Sequence, residues 1–357
     1  MTAGVLPFQA IEKMIARDEI TARLPIPEAQ IQPASLDLRL GDVAYRVRAS
    51  FLPGAAGVSA RLKEFSTHRI DLRQGAVLEK GCVYLVPLME SLALPRHINA
   101  VANAKSSTGR LDVFTRLITE HASEFDRVDA GYQGQLYAEV SPRSFSVLAR
   151  PGMRLNQIRF RAGQVVLSDD ELRALDAMQG LVDQDAHIAD GLGFSVDLTA
   201  REGGIVGYRA KPHTGLIDLD KLGHYPAMDF WEPVTAPRGH IILDPGAFYI
   251  LVSNEAVHVP PDCAAEMAPY LAMVGEFRVH YAGFFDPGFG NETAGGKGAR
   301  GVLEVRCHEA PFVLEHRQRV GRLVYERMQD VPRVLYGADL GSNYQGQGLK
   351  LSKHFKT

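Results

Sequence analysis

The chain has 357 residues, of which 46% are hydrophobic and 23% charged, and these values are typical of a globular protein of about two domains. Its formal net charge of −3 gives no electrostatic argument for a nucleic-acid partner, and no apolar run reaches the ~18 residues that a membrane helix needs. Cys82, Cys263 and Cys307 are far apart and odd in number, which argues against a disulfide framework. With no signal-peptide pattern in the first residues, the chain is predicted to be cytoplasmic.

Residues 1–30 are predicted to form a short helix followed by a proline-rich extended arm, since Ile11 and Ile15 fall on one helical face. From residue 31 to 165, short β-branched or aromatic runs alternate with Gly and Pro. The first of these runs, Ser35 to Gly41, alternates apolar and polar residues. Many short strands with turn signals predict a β sandwich or barrel, which we take as a first β domain.

Residues 166–190 are predicted to be a connector that contains the clearest helix of the chain. Ser168 and Glu171 form a capping-box pattern, and Gly180 ends the helical periodicity. The strand pattern then restarts, so we predict a second β domain over 191–330 and a polar tail over 331–357.

The two β domains are predicted to be copies of one ancestor. Residues 81–95 return as 246–260, Glu139 returns as Glu304, and 155–160 return as 320–325, all displaced by 165 positions. Ser35-Leu-Asp-Leu38 is matched to Ser195-Val-Asp-Leu198 on the same grounds.

One polar hexapeptide is a candidate anion site. Lys105, Ser106, Ser107 and Arg110 surround a Gly, and their cations and hydroxyls could hold phosphate groups. The alternative is a solvated surface loop. The corresponding region of the second copy, 265–277, is almost wholly apolar.

Two tight turns and two lone glutamates are the other candidates. Asp129-Ala-Gly-Tyr132 and Asp286-Pro-Gly288 are turns for steric reasons, and each could also hold a sugar. Glu139 and Glu304 lie in apolar strands, either on a wet sheet face or beside a ligand as a proton carrier. No H-x-E is paired with P-C-x-x-C, which closes the zinc route of many base deaminases.

Together these motifs resemble the 2′-deoxycytidine 5′-triphosphate deaminases, which share a β fold with the trimeric dUTP diphosphatases. Residues 10–14 and 31–41 are similar to the start of that family. Residues 105–110 resemble its R-S-S-x-x-R triphosphate motif, with Lys105 replacing the first Arg. Residues 279–288 resemble its pocket segment, and 342–347 its nucleotide-closing tail, with Asn343 where Lys is common.

The resemblance implies a mostly β fold of two tandem dUTPase-like distorted β-barrel or jelly-roll domains with short helices at the N-terminus and between the domains. It implies hydrolysis of dCTP to dUTP and ammonia, which supplies dUTP for thymidylate synthesis. Glu304 would be the general base, with Glu139 as the alternative, and the backbone of Ala282 would help hold the water. The nucleotide-binding residues implied are Lys105, Ser106, Ser107, Arg110, Asp129, Tyr132, Asp286, Gly288, Tyr344, Gln345 and Gln347.

The resemblance further implies Mg²⁺ bound to the triphosphate and no zinc. It also implies a homo-oligomer, with dTTP as an inhibitor to be tested and no nucleic-acid or membrane partner. Because the first copy holds the phosphate motif and the second the cleaner pocket segment and tail, we hypothesise a composite site of both copies. Val128 to Gly134 also resembles a dUTP diphosphatase motif, so that activity, a bifunctional enzyme and a non-catalytic nucleotide sensor stay open as alternatives.

Overall fold

The computed structural model describes residues 2–269, 277–280, 283–292, 296–337 and 348–356. Its contacts divide the chain into two units. The first unit comprises 1–165 together with 215–224, and the second comprises 166–214 together with 225–357.

Strands and helices are numbered along the chain. Up to residue 165 they are β1 (Gly4–Val5), α1 (Phe8–Ala16), β2 (Ile20–Ala22), β3 (Ile31–Gln32), β4 (Ser35–Arg39), β5 (Val43–Val47), α2 (Val58–Phe65), β6 (Ser66–Asp71), β7 (Ala76–Leu78), β8 (Val83–Ala93), β9 (Ile98–Ala104), α3 (Ser106–Gly109), β10 (Val113–Thr119), β11 (Arg127–Val128), β12 (Gln133–Pro142), β13 (Val147–Ala149) and β14 (Arg154–Ala162).

From residue 166 onward they are α4 (Asp169–Gln179), β15 (Leu192–Ser195), β16 (Ile205–Ala210), β17 (Ile217–Asp218), α5 (Ala227–Phe230), β18 (Trp231–Thr235), β19 (His240–Leu243), β20 (Phe248–Val257), β21 (Cys263–Pro269), β22 (Phe277–His280), β23 (Phe284–Phe285), β24 (Ala299–Cys307), β25 (Phe312–Glu315) and β26 (Arg319–Arg327). Short 3-10 turns lie at Glu28–Gln30, Gly54–Ala56 and Glu202–Gly204.

The same strand order recurs in both units. In the first unit one sheet runs β11-β9-β14-β4-β3 and a second runs β10-β12-β8-β5-β6. In the second unit the corresponding sheets run β23-β21-β26-β15 and β22-β24-β20-β16-β18. A ribbon of β7 and β13 in the first unit corresponds to β19 and β25 in the second. The predicted mostly β fold is confirmed, and the recurring order is what a duplicated domain produces.

The pairing register corrects one predicted match between the copies. In the first unit Arg39 pairs with Arg154 next to a β-bulge. In the second unit Ser195 pairs with Arg319 next to the equivalent bulge. Arg39 and Ser195 are therefore equivalent, and each backbone N–H donates to a glutamate of the neighbouring long strand. The predicted match of Ser35–Leu38 to Ser195–Leu198 is wrong by four positions, because strand register is set by the buried face and the bulge and not by a short identical string.

The predicted connector helix is present as α4 and belongs to the second unit. The Ser168 hydroxyl accepts from the Glu171 N–H and the Glu171 carboxylate accepts from the Ser168 N–H, as the capping box requires. Leu172 and Leu175 pack into the core of the second unit, which explains why this helix does not stand apart as a linker.

A short segment of the second half of the sequence belongs to the first unit. Ile217 and Asp218 pair in parallel with Val147 and Leu148, so β17 extends the β7–β13 ribbon. The prediction that residues 215–224 belong to the second β domain is wrong, because such a short segment carries no compositional signal of the unit that it joins. None of the described helices is long and apolar enough to cross a membrane.

Candidate active site

The polar hexapeptide 105–110 forms a single helical turn at the end of β9. Lys105 caps α3, and the N–H groups of Thr108 and Gly109 both donate to the Lys105 carbonyl at 2.8 and 3.0 Å. Ser107 and Arg110 are buried, which is unusual for an exposed polar loop. The solvated-loop alternative therefore does not hold for these two side chains.

The Lys105 ammonium is already engaged. It forms an ion pair with the buried Asp37 carboxylate of β4, and Arg154 of β14 lies 3.5 Å from the other oxygen of that carboxylate. Asp37 was not among the predicted site residues. It lies 68 residues from Lys105 in sequence, and no local pattern links the two.

Glu139 is buried near the middle of β12 and is held by an arginine. Arg116 lies directly opposite on β10, with its Nη2 and Nε at 2.6 and 3.1 Å from one carboxylate oxygen. The guanidinium stacks 3.4 Å from the centroid of the Phe125 ring and donates to the Ser50 hydroxyl at 2.8 Å. One carboxylate oxygen of Glu139 is thus occupied by a cation that is itself fixed on three sides.

An insertion between β5 and β6 covers the same sheet face. The loop after β5 and helix α2 contribute to a small apolar cluster, and the 120–126 loop is tied to this insertion by hydrogen bonds between Gly54 and Ala122 and between Val58 and Glu120. The cluster consists of Val47, Val58, Leu85, Ile118 and Ala122, with Phe51, Leu52, Leu62, Val83, Phe125 and Tyr137 packed against it. The carboxylate of Glu139 therefore lies under a covered surface in the first unit.

Glu304 occupies the equivalent position on β24 in the second unit. It is buried and pairs in register with Ile250 and His280, where Glu139 pairs with Leu85 and Arg116. The two copies thus place a carboxylate at the equivalent point of corresponding sheets, but its cross-strand neighbours differ in chemistry.

The two candidate turns are also equivalent in geometry. The Leu94 N–H donates to the Tyr132 carbonyl, and the Val259 N–H donates to the Phe289 carbonyl one repeat later. Asp129 is exposed whereas Asp286 is buried. Gly288 needs its glycine, since its φ of +94° is open to few other residues.

In the first unit the turn borders a cavity of about 510 Å³. Its lining includes Asp129, Tyr132, Glu120 and Arg127. The Tyr132 hydroxyl donates to the Gln135 carbonyl at 2.6 Å, and burial raises the pKa of this phenol, so it stays protonated at neutral pH. Tyr132 therefore lines the cavity as a neutral phenol and does not act as a base.

The structure brings the predicted residues of the first unit to separate places. Val128, next to the Asp129 turn, pairs with Ala100 on β9, and Lys105 follows along that strand five residues later. At ~3.3 Å per residue, five residues of strand span about 17 Å. The phosphate motif and the turn are thus not brought together within this unit. Ala282, Tyr344, Gln345 and Gln347 lie outside the described residues.

Metal ligation finds no support among the described residues, where no group of three or more His, Cys, Asp and Glu could hold an ion. The arrangement instead provides buried carboxylates, one buried arginine in a hydroxyl-rich turn, and two glycine-containing turns.

Comparison with known proteins shows which family has this arrangement of residues. A family model described as the 2′-deoxycytidine 5′-triphosphate deaminase N-terminal domain matches residues 2–164, and the corresponding C-terminal domain model matches residues 168–355. The chain belongs to the 2′-deoxycytidine 5′-triphosphate deaminase family. The predicted resemblance is confirmed, including its two-domain form.

Relatives of this deaminase family include a solved structure of similar length. The crystal structure of 2′-deoxycytidine 5′-triphosphate deaminase from Agrobacterium tumefaciens is 56% identical, with a TM-score of 0.89, and covers 92% of this chain and 100% of that one. A dCTP deaminase from Natronomonas pharaonis is 33% identical over 137 residues, 38% of this chain and 67% of the relative. A dUMP-forming dCTP deaminase from Coprothermobacter proteolyticus is 31% identical over 140 residues, 38% of this chain and 70% of the relative.

Proposed function

We propose that the protein hydrolyses dCTP to dUTP and ammonia. The observation that carries this proposal is the match of both halves of the chain to the two domain models of one deaminase family. In the reaction, water adds to C4 of cytosine, the C4–N4 bond breaks, the water oxygen becomes the O4 of uracil, and the amino group leaves as ammonia. No electrons are exchanged with a cofactor.

Glu304 is the proposed general base. It takes a proton from the attacking water and passes it toward N3 and the departing amine, and the backbone at Ala282 helps to hold that water. A general base contributes about 10²–10⁴-fold, so the remaining acceleration comes from positioning and from groups that stabilise the tetrahedral intermediate. Mg²⁺ enters with the triphosphate as part of the substrate, and no step passes through it.

The choice of Glu304 over Glu139 is supported by the surroundings of the latter. A base needs an oxygen within reach of its water. The Glu139 carboxylate faces the fixed Arg116 guanidinium beneath the cluster around Phe125. Such a carboxylate has the environment of a structural ion pair.

Glutamine substitutions test the assignment. Glu304→Gln is expected to lower kcat for dCTP by about 10²–10⁴-fold, because the amide cannot accept the proton of the water. Glu139→Gln should keep most of the turnover, and Arg110→Ala should abolish it if the buried arginine binds phosphate. Ammonia release from dCTP and Mg²⁺ is the measurement, with melting temperature as the folding control. A dead Glu139→Gln variant beside an active Glu304→Gln variant would reverse the assignment.

A second activity, release of diphosphate to give dUMP, is the alternative. Two features favour testing it: some relatives are named dUMP-forming, and the turn that resembles a dUTP diphosphatase motif borders a cavity containing Asp129 and Tyr132. Parallel assays of ammonia and diphosphate from dCTP and from dUTP separate the deaminase, the diphosphatase and the bifunctional enzyme. Tight dCTP or dTTP binding without either product would identify a non-catalytic sensor.

We also propose a fold for each unit, an assembly state and a set of nucleotide-binding residues. Each unit is taken as a dUTPase-like distorted barrel in a cytoplasmic homo-oligomer. The proposed nucleotide-binding residues of the first unit are Lys105, Ser106, Ser107 and Arg110 in the phosphate motif, and separately Asp129 and Tyr132 at its turn. Those of the second unit are Asp286 and Gly288 at its turn and Tyr344, Gln345 and Gln347 in the closing tail. dTTP inhibition of ammonia release is measurable in the same assay.

A further inference from the structure

The carboxylate of Asp37 holds two cations, one on each oxygen. Lys105 Nζ contacts Oδ1, and Arg154 Nη1 lies 3.5 Å from Oδ2. The Asp37 side chain is 3% exposed, whereas those of Lys105 and Arg154 are 22% and 29% exposed. A buried anion is thus balanced by two cations that reach toward solvent.

This arrangement is particular to the first unit. Asp37 lies opposite Gln157, and the equivalent position in the second unit, opposite Arg322, is Gly193. The residue after β9 is Lys105, whereas the residue after the equivalent strand β21 is Tyr270. The carboxylate and the cation of the phosphate motif therefore occur together in one copy, and neither is present in the other.

The ion pair has a consequence for phosphate binding. The Lys105 ammonium has three N–H donors, but its charge is already compensated by the buried Asp37 carboxylate, so the attraction of Asp37 competes with that of a phosphate oxygen. A full transfer of the ammonium to phosphate would take it away from Asp37. Leaving a buried carboxylate with no partner is costly. Arg154 lies 3.5 Å from the second oxygen and would still neutralise the carboxylate if Lys105 moved away.

We propose that Asp37 is a positioning residue that sets the affinity for the triphosphate by competing with it for the Lys105 ammonium, while Arg154 keeps the carboxylate neutralised during the exchange. The proposal rests on the proposed function only in taking residues 105–110 as the phosphate site. In this structure the Lys105 ammonium is paired with Asp37 and not with phosphate.

Substitutions at the three residues test the exchange through the Kd of dCTP and the KM and kcat of deamination. Asp37→Asn should tighten dCTP binding by about threefold or more, as expected for directly coupled charges, because Lys105 is released. Arg154→Gln should weaken binding, because Asp37 then holds Lys105 more firmly. Each effect should be larger for dCTP than for dCMP and should leave kcat little changed.

The double variant Asp37→Asn/Lys105→Met decides whether Asp37 acts through Lys105. If Asp37 acts through Lys105, then Lys105→Met weakens binding and removes the benefit of Asp37→Asn, a non-additive cycle. Lys105→Met should also reduce the salt dependence of dCTP binding. Asp71→Asn is the matched control, since Asp71 pairs with Arg73 on an exposed strand edge and should not affect nucleotide binding.

Two outcomes overturn the proposal. One is a folded Asp37→Asn variant whose dCTP affinity is unchanged or weaker. The other is a Lys105→Met variant with the wild-type Kd, which decides the matter even if Asp37→Asn does not fold. Failure of the proposed function is distinguishable, because the wild-type protein would then bind dCTP without releasing ammonia, or would not bind it, while the control and variants remain folded by melting temperature.

Discussion

Arg317 and Gly152 occupy the same tight turn in the two copies. Each N–H donates at 2.8 Å to a carbonyl at equivalent positions, those of Val196 and Leu40. Gly152 has a φ of +82° and Arg317 a φ of +65°. A side chain with a Cβ in this left-handed region costs roughly 1–2 kcal/mol, whereas glycine adopts it freely.

Arg317→Gly is therefore expected to stabilise the protein. The net gain should be about 0.5–1 kcal/mol, because the relief of strain exceeds the extra freedom of glycine in the unfolded chain. The exposed hydrogen bond from Arg317 to Gln184 is lost, and it contributes little. Urea unfolding gives the measurement. Arg317→Ala is the control, since it removes the guanidinium but keeps the Cβ; equal stability of the two variants would contradict the explanation.

At the residue level the sequence reveals which charged groups are present but not which residues they contact. The carboxylates at 139 and 304 and the polar hexapeptide were predicted from their patterns. The partners of two of these charges were not, because Arg116 and Asp37 lie 23 and 68 positions from Glu139 and Lys105. Buried charges require partners, and only the register of the sheets supplies them.

At the level of elements, the C-terminal residues 352–356 act as an anchor within the second unit. The Phe355 ring is buried among Tyr225, Phe230 and Trp231, with centroid distances of 6.5, 5.4 and 5.8 Å. The Lys356 N–H donates to the Tyr225 carbonyl at 2.8 Å. Aromatic side chains packed in this way contribute much of the stability of a small core.

Phe355→Ala should destabilise the second unit by about 3–5 kcal/mol, the usual effect of truncating a buried aromatic ring. Phe355→Leu should cost clearly less, since it keeps most of the apolar volume. Denaturant midpoints of the two variants provide the comparison. Equal losses would mean that the backbone pairing with Tyr225, and not the ring, holds this end of the chain.

Elements with strong local signals were the predictable ones. Helix α4 begins at its predicted cap because both capping hydrogen bonds come from residues three apart. The strand containing Ser195 was matched four positions out of register, because its alignment depends on a bulge opposite a distant strand. Local chemistry can be recognised in a sequence, whereas pairing across a sheet cannot be deduced from four letters.

At the scale of the molecule, the first unit is completed by residues 215–224. Arg150, beside β13, forms ion pairs with Asp218 at 2.6 Å and Asp220 at 2.8 Å. Its hydrogen bond is the main reason that the pKa of Asp218 lies below the ordinary value of 3.8. The charged carboxylate thus favours the folded arrangement of this segment.

The ion pair predicts a pH-dependent contribution to stability. A carboxyl group with a lowered folded pKa stabilises fully above its unfolded pKa and loses that effect as the pH falls through the folded value. Arg150→Met should therefore lower stability at pH 7, and its difference from wild type should shrink below about pH 4. Urea midpoints at pH 7 and pH 3 measure this. A difference that persists at pH 3 would assign the effect of Arg150 to packing.

The late position of β17 in the sequence also governs how the gene can be divided. A polypeptide that stopped at residue 165 would contain β13 with its outer edge uncovered, because Ile217 and Asp218 of β17 come 70 positions after their partners Val147 and Leu148. Unpaired edges invite intermolecular pairing and aggregation. Recombinant production of the amino-terminal half would therefore need residues 215–224 appended to its end.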